Sequence, residues 1–86
     1  MMPDLHRLMV SNPGRRRVLE VLLERPAQSG TIAHRLHVSA ATVSNHLAGL
    51  RALGLVNSVV DGRRRTYSLR EGVADLVRNE AQSGRG

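Results

Sequence analysis

The apolar residues of this 86-residue chain change their spacing at Gly54, and that change limits the folds available to it. Before Gly54 the aliphatic residues recur at helical intervals, and after it short apolar runs flank the pair Asp61-Gly62. A period near 3.6 residues predicts amphipathic helices, whereas short runs on either side of Asp-Gly predict a β-hairpin. The sequence therefore predicts a mostly α-helical fold with one small hairpin.

Four helical segments are predicted before the hairpin and one after it. Asn12-Pro13 separates the first two, because the residue before a proline avoids helical backbone angles. The fourth has Val43, Leu47 and Leu50 on one face, with Leu53 extending that face. The predicted helical segments are 4–11, 14–25, 29–37, 39–53 and 71–80.

Polar residues and glycine mark the helix ends. Ser29 is the predicted N-cap of the third helix. Ser39 is the predicted N-cap of the fourth, accepting a hydrogen bond from the backbone amide two or three residues later. Gly54 is a natural left-handed terminator. Gly49, inside the fourth helix, costs about 1 kcal/mol relative to alanine and indicates close approach of another element.

The hairpin is predicted from strands 55–60 and 63–69. Asp61 and Gly62 are the predicted central turn residues, both with positive φ. Strand alternation would send Arg63 and Arg65 to one side and Arg64 to the other.

Length and composition predict a single domain, 1–86, whose tail 81–86 is frayed. With one tyrosine, no phenylalanine and no tryptophan, the core is aliphatic and small, and such cores often gain stability by oligomerising. The absence of cysteine excludes disulfides and thiolate metal sites and fits a reducing compartment. The chain has neither an apolar run long enough to span a membrane nor a signal segment, which predicts a cytoplasmic protein.

The charge balance indicates a polyanionic partner. Thirteen arginines face seven acidic residues, for a net charge of +6. Arginines that neutralise phosphates release the counterions of nucleic acid. The sequence contains no candidate catalytic triad, no carboxylate pair for which a catalytic role can be argued, and no glycine-rich phosphate loop. We therefore expect neither an enzyme nor a cofactor.

Two short helices joined through 36–39 come directly before the arginine-rich hairpin. This is the order of a winged helix-turn-helix, α-α-α-α-β-β-α, in which a supporting helix precedes a recognition helix for the major groove and a wing contacts the neighbouring backbone or minor groove. The predicted partner is double-stranded DNA. The predicted DNA-binding residues are Ser39, Ala40, Ala41, Thr42, Ser44, Asn45, His46, Arg63, Arg64 and Arg65.

Three stretches, SNPGRRRVLEVLLERP, IAHRLHVSAATVSNHLAGLRALGLV and DGRRRTYSL, resemble the ArsR-type (arsenic-repressor-like) winged-helix transcriptional regulators. The resemblance covers about residues 8–70. It implies a homodimer that pairs through its first and last helices and represses transcription from an imperfect inverted repeat. It also implies base or phosphate contacts by Ser44 and Asn45. The corresponding dimerisation residues are Leu5, Leu8, Met9, Val73, Leu76 and Val77.

The chain departs from that family in two respects. Alanines 40, 41 and 48 replace residues that are commonly polar or basic in the family, which favours apolar contact and DNA shape over hydrogen-bond readout. The metal-responsive members have a cysteine-x-cysteine pair where this chain has 28–30, and the last helix contains no histidine. His34 and His37 lack an evident third ligand, so we predict no metal site.

Some features admit two interpretations. Arg15, Arg16 and Arg17 point in three directions on a helix, so they form either a solvated face or, for one of them, a DNA contact. Tyr67 is interpreted as a core or dimer residue rather than a stacking group. For the whole chain, the alternatives to a specific regulator are a winged-helix module for protein–protein contact and a nonspecific architectural DNA binder.

Overall fold

The computed structural model describes residues 5–83, which form five helices and one antiparallel hairpin in the predicted order. No helix in this range is both long and apolar enough to cross a membrane. The elements are α1 (Leu5–Ser11), α2 (Pro13–Glu24), α3 (Ser29–Leu36), α4 (Ala40–Ala52), β1 (Val56–Asp61), β2 (Arg64–Leu69) and α5 (Val73–Ser83).

All five helices contribute to one aliphatic core. The predicted stripe of α4 is confirmed, since Val43, Leu47 and Leu50 are each 0% exposed. Full burial of one such side chain stabilises the fold by about 1.5–3 kcal/mol. Leu53 does not extend the stripe, because it lies at the C-cap of α4 and is 36% exposed. The largest fully buried side chains are Val18, Leu19, Ile32, Val43, Leu47, Leu50, Leu55, Val73 and Val77.

Both predicted ends of α4 are confirmed. The Ser39 hydroxyl accepts a hydrogen bond from the Thr42 amide at 3.1 Å. At the other end Gly54 adopts φ +77° and its amide donates to the Arg51 carbonyl at 2.9 Å. The Leu55 amide donates to the carbonyl of Leu50 at 3.0 Å, and both side chains are buried. These bonds form a Schellman motif, which ends the helix and directs the chain into β1.

The predicted cap of α3 is wrong by one residue. Gln28 occupies the N-cap position and its side chain makes no capping bond, while Ser29 is the first residue of the helix. Helix α5 begins at Val73, after Gly72 with φ +87°, and extends to Ser83 rather than ending at 80. Of the tail predicted to be frayed, 84–86 lie outside the described residues.

The tip of the hairpin also differs from the prediction. Asp61 pairs with Arg64, so the two central turn residues are Gly62 and Arg63 rather than Asp61 and Gly62. Of these two, Gly62 alone has a positive φ, +63°, as in a type II′ turn with glycine first. Arg63 therefore lies in the turn itself, and Arg64 and Arg65 are the first residues of β2.

A short backbone pairing joins the hairpin to the helices. Ala27, between α2 and α3, exchanges hydrogen bonds with Tyr67 of β2, at 3.0 Å and 2.8 Å. The Tyr67 side chain is half-buried against the core, in agreement with its interpretation as a packing residue. The hairpin is therefore held at its base by the Ala27–Tyr67 pair and by the Arg70 amide, which donates to the Leu55 carbonyl.

The link between α3 and α4 depends on one left-handed residue. His37 has φ +57° and ψ +43°, and the following amide, of Val38, donates to the Ala33 carbonyl at 3.1 Å. A left-handed conformation costs about 1–2 kcal/mol for residues that have a Cβ, whereas glycine adopts it freely.

We expect His37→Gly to raise the free energy of unfolding by about 1 kcal/mol, because the exposed imidazole makes no hydrogen bond or ion pair within residues 5–83 that would be lost. Urea denaturation at one fixed protein concentration measures this change. His34→Gly is the matched control, since His34 is exposed inside α3 and should lose about 0.5–1 kcal/mol. Equal effects of the two substitutions would contradict the left-handed assignment of His37.

Candidate nucleic-acid interface

One face of α4 is open to solvent along its whole length. Because the apolar stripe faces inward, the residues between its members point outward, and the exposed residues of α4 are Ala40, Ala41, Thr42, Ser44, Asn45, Ala48, Arg51 and Ala52. Asn45 lies near the centre of this face, about 160–170° around the axis from the middle of the buried stripe. A helix that is apolar inside and carries short polar and methyl groups outside fits the major groove of DNA.

The two hydroxyls at the start of α4 are joined to each other. Ser39 Oγ accepts from the Thr42 amide and donates to Thr42 Oγ1 at 2.8 Å. Ser39 thus serves the helix as its cap. The Thr42 hydroxyl, which accepts this bond, keeps its own proton for donation to a ligand.

His46 differs from the other predicted DNA-binding residues of α4 because it is half-buried. Its ring lies against Gly14 in the first turn of α2, where a Cβ on Gly14 would come within 2.8 Å of the His46 Cε1 atom. The side chain therefore fills the contact between α2 and α4 on the flank of the exposed face.

Three exposed arginines lie at the tip of the hairpin. Arg63 is in the turn, and Arg64 and Arg65 extend from it on opposite faces of β2. No carboxylate within residues 5–83 forms an ion pair with any of them. On β1, Val59 and Val60 are 63% and 59% exposed. The hairpin, which follows α4 after a short turn, thus presents three arginines without a carboxylate partner in the described residues.

The residues predicted for dimerisation fall into two groups. Leu5, Met9, Val73 and Val77 are buried in the core of the protomer itself. Leu8 is half-buried, and Leu76 is 39% exposed. Helices α1 and α5 lie side by side, and His6 Nδ1 contacts Glu80 Oε2 at 2.7 Å. The four buried side chains therefore hold these two helices together from within, whereas Leu76 faces outward.

The three consecutive arginines of α2 have separate environments. Arg16 Nε approaches Glu20 Oε1 at 3.8 Å, and Arg17 donates to the Leu36 carbonyl at the end of α3 at 3.4 Å. Arg15 instead extends across α4 and lies on the backbone of Gly49. The close approach that Gly49 indicates is therefore that of a side chain. Arg15 was not among the predicted DNA-binding residues, although one of Arg15, Arg16 and Arg17 was considered as a DNA contact, and the glycine at position 49 was a second signal.

The two histidines considered as metal ligands are both exposed. His37 lies beyond the end of α3 in the left-handed region, so it does not continue the helical spacing from His34. In the described part of the chain, no three side chains of histidine, aspartate or glutamate come together in a way that could hold a metal ion.

Comparison with known proteins gives a consistent result. The family model of the bacterial regulatory proteins of the arsR family matches residues 12–58. The HTH-type transcriptional regulator CmtR of Mycobacterium tuberculosis is 38% identical over 60 residues, which are 70% of this chain and 51% of that protein. The chain spans about half the length of the curated relatives it matches.

Solved structures share the fold. HlyU from Vibrio cholerae is 30% identical and superimposes with a TM-score of 0.79, covering 91% of this chain and 85% of the other. The homodimeric winged helix-turn-helix DNA-binding domain of Mb0332 from Mycobacterium bovis is 25% identical, with a TM-score of 0.83, covering 93% of this chain and 75% of the other.

We expect Ser39→Ala to lower the free energy of unfolding by about 1 kcal/mol, because the Thr42 amide loses its acceptor at the start of α4. Ser44→Ala is the matched control: it removes an exposed hydroxyl that makes no hydrogen bond within residues 5–83 and should change stability by less than about 0.5 kcal/mol. Thermal or urea denaturation measures both. Equal losses of stability in Ser39→Ala and Ser44→Ala would show that the capping hydroxyl of Ser39 stabilises the fold no more than an exposed serine hydroxyl does.

Proposed function

Because the chain belongs to the arsR family of bacterial regulatory proteins, we propose that it is a homodimeric transcriptional regulator that binds an inverted-repeat operator and represses transcription. It acts in the cytoplasm, the compartment that contains the DNA. It has no catalytic activity or cofactor of its own. The half-sites of the operator lie about one helical turn apart, because a two-fold symmetric dimer presents two copies of α4.

The observation that carries this proposal is the position of α4. Its exposed face lies one short turn after α3 and directly before the hairpin, whose three arginines lack carboxylate partners in the described structure. A groove-sized helix flanked by unpaired cations suits a duplex, since phosphates supply the missing negative charge.

We assign sequence readout to the polar residues at the centre of this face. Asn45 offers an amide that can pair with adenine through two hydrogen bonds, and Thr42 and Ser44 offer single hydroxyls. Ala40 and Ala41 offer methyl groups for contact with thymine methyls. The hairpin arginines contact backbone phosphates or the minor groove, so they contribute affinity more than sequence preference.

The dimer forms through α1 and α5. Among the side chains of this helix pair whose burial the structure describes, Leu76 is the exposed large apolar one, and Leu8 lies half-buried in α1. A protomer with a small aliphatic core gains apolar burial when a second copy covers these leucines.

We expect the protein to select a duplex with an inverted repeat from a random library, at affinities about 10³-fold or more above those for random duplex. A fluorescence titration of the selected duplex over a salt series should give a log–log slope of about −0.9 per phosphate neutralised. Equal affinity for all duplexes would identify an architectural DNA binder. Absence of binding at low salt would favour a protein–protein module and overturn the proposal.

The same titration with Asn45→Ala should show a loss of about 1–3 kcal/mol on the selected duplex and a smaller loss on random duplex. Gln28→Ala is the control, because Gln28 also carries an exposed amide that makes no capping bond but lies before α3. Unchanged sequence preference in Asn45→Ala would remove α4 from its assigned role.

We expect Leu76→Asp to weaken dimerisation by at least about tenfold, because it places a charge where apolar surface is buried between protomers. Sedimentation equilibrium measures the change. Leu53→Asp is the matched control, since Leu53 is 36% exposed, close to the 39% of Leu76, but lies at the end of α4. Equal weakening by both variants, or a monomeric wild type, would place the dimer contact elsewhere.

A further inference from the structure

The Arg15 side chain packs against the backbone of α4 at Gly49, where the helix has no side chain. Its backbone amide, in the first turn of α2, donates to Asn12 Oδ1 at 3.1 Å. A Cβ built on Gly49 would lie 2.7 Å from Arg15 Cζ and 3.1 Å from Nε, closer than side chains normally approach. Gly49 is therefore what allows the guanidinium to occupy this place.

Among the residues that the structure describes, the guanidinium has no hydrogen-bond or ion-pair partner. Arg15 Nε is buried without a hydrogen-bond acceptor, and no ion pair within residues 5–83 involves this side chain. The adjacent arginines differ, since Arg16 lies near Glu20 and Arg17 caps α3. A cation that is partly withdrawn from water without an opposite charge is unfavourable, and an external anion removes that penalty.

The position of Gly49 on α4 indicates which external anion would bind Arg15. Gly49 follows Asn45 by one turn, so the two lie about 40° apart around the axis and about 6 Å apart along it. Arg15 thus lies on the flank of the exposed face of α4, beside the residue assigned to base readout. When a helix enters the major groove, the sugar-phosphate backbone runs along this flank.

We infer that Arg15 binds a phosphate of the DNA backbone at the edge of the groove that α4 enters, and that Gly49 makes room for it. The inference rests on the proposed function. The contact sets the depth and register of α4 in the groove, because α2 and α4 then bind the same duplex through adjoining surfaces. It carries no sequence information, since every nucleotide presents the same phosphate.

The first test is Arg15→Gln, with affinity for the selected duplex measured over a salt series. We expect binding about tenfold weaker at fixed salt, a log–log slope reduced by about 2 for the dimer, and unchanged sequence preference. Arg25→Gln is the matched control, because it removes the same charge from the exposed C-cap of α2, at the opposite end of that helix from Arg15, and should leave the slope unchanged. A wild-type slope in Arg15→Gln would overturn the inference.

The second test removes no charge. Gly49→Ala places a methyl group where the guanidinium lies, so it should reduce the slope as Arg15→Gln does, while the urea midpoint stays equal or rises because alanine favours helix. Gly30→Ala is the matched control: it adds a methyl to α3 with no atom within 4 Å and should leave the slope unchanged. A full wild-type slope in Gly49→Ala would refute the role of Gly49.

The double variant Arg15→Gln/Gly49→Ala should bind no more weakly than Arg15→Gln alone, because both changes remove one contact. Additive losses would contradict the shared contact. These outcomes are separate from the proposed function, which fails if the wild-type protein binds no duplex and stands if it binds one that Arg15 does not contact.

Discussion

The burial of one face of α4 against α2 and α3 is the interaction on which the rest of the structure depends. Val43, Leu47 and Leu50 are completely buried, and they turn the opposite face of the helix to solvent. The Schellman motif at Gly54 then ends α4 and leads into β1, so the hairpin follows the helix after a short turn. The geometry of the candidate interface therefore follows from apolar packing, before any polar residue is considered.

A second constraint is the close contact between the first turn of α2 and the flank of α4. The His46 ring covers Gly14, and the Arg15 guanidinium covers Gly49. Each side chain occupies the volume of a missing Cβ on the facing helix. Glycine in a helix interior costs about 1 kcal/mol relative to alanine, so its presence at 49 is explained by a contact that alanine would block. The helix that positions α4 thus also contributes a cation next to it.

Most features that depend on neighbouring residues were predictable, although the cap of α3 was predicted one residue too late. The Ser39 cap, the stripe of α4 and the stop at Gly54 each involve residues within one or two turns, and all three are confirmed. The tip of the hairpin was predicted wrongly, because the register depends on pairing across the strands and on the Ala27–Tyr67 bridge at their base. Asp-Gly indicated a turn at this place, but it did not specify which two residues occupy the centre.

The arginines of α2 separate what the sequence by itself determined from what only the tertiary structure decided. Spacing and breakers determined the order of the elements and which side of each helix is apolar, because these depend on the 3.6-residue period. The same period indicated that Arg15, Arg16 and Arg17 point in different directions. The partner of Arg16 is local, since Glu20 lies four residues later on the same helix, but the contacts of Arg15 and Arg17 were decided by packing, because Gly49 and Leu36 belong to α4 and α3. Contacts between helices depend on how the whole core closes, and no local pattern encodes them.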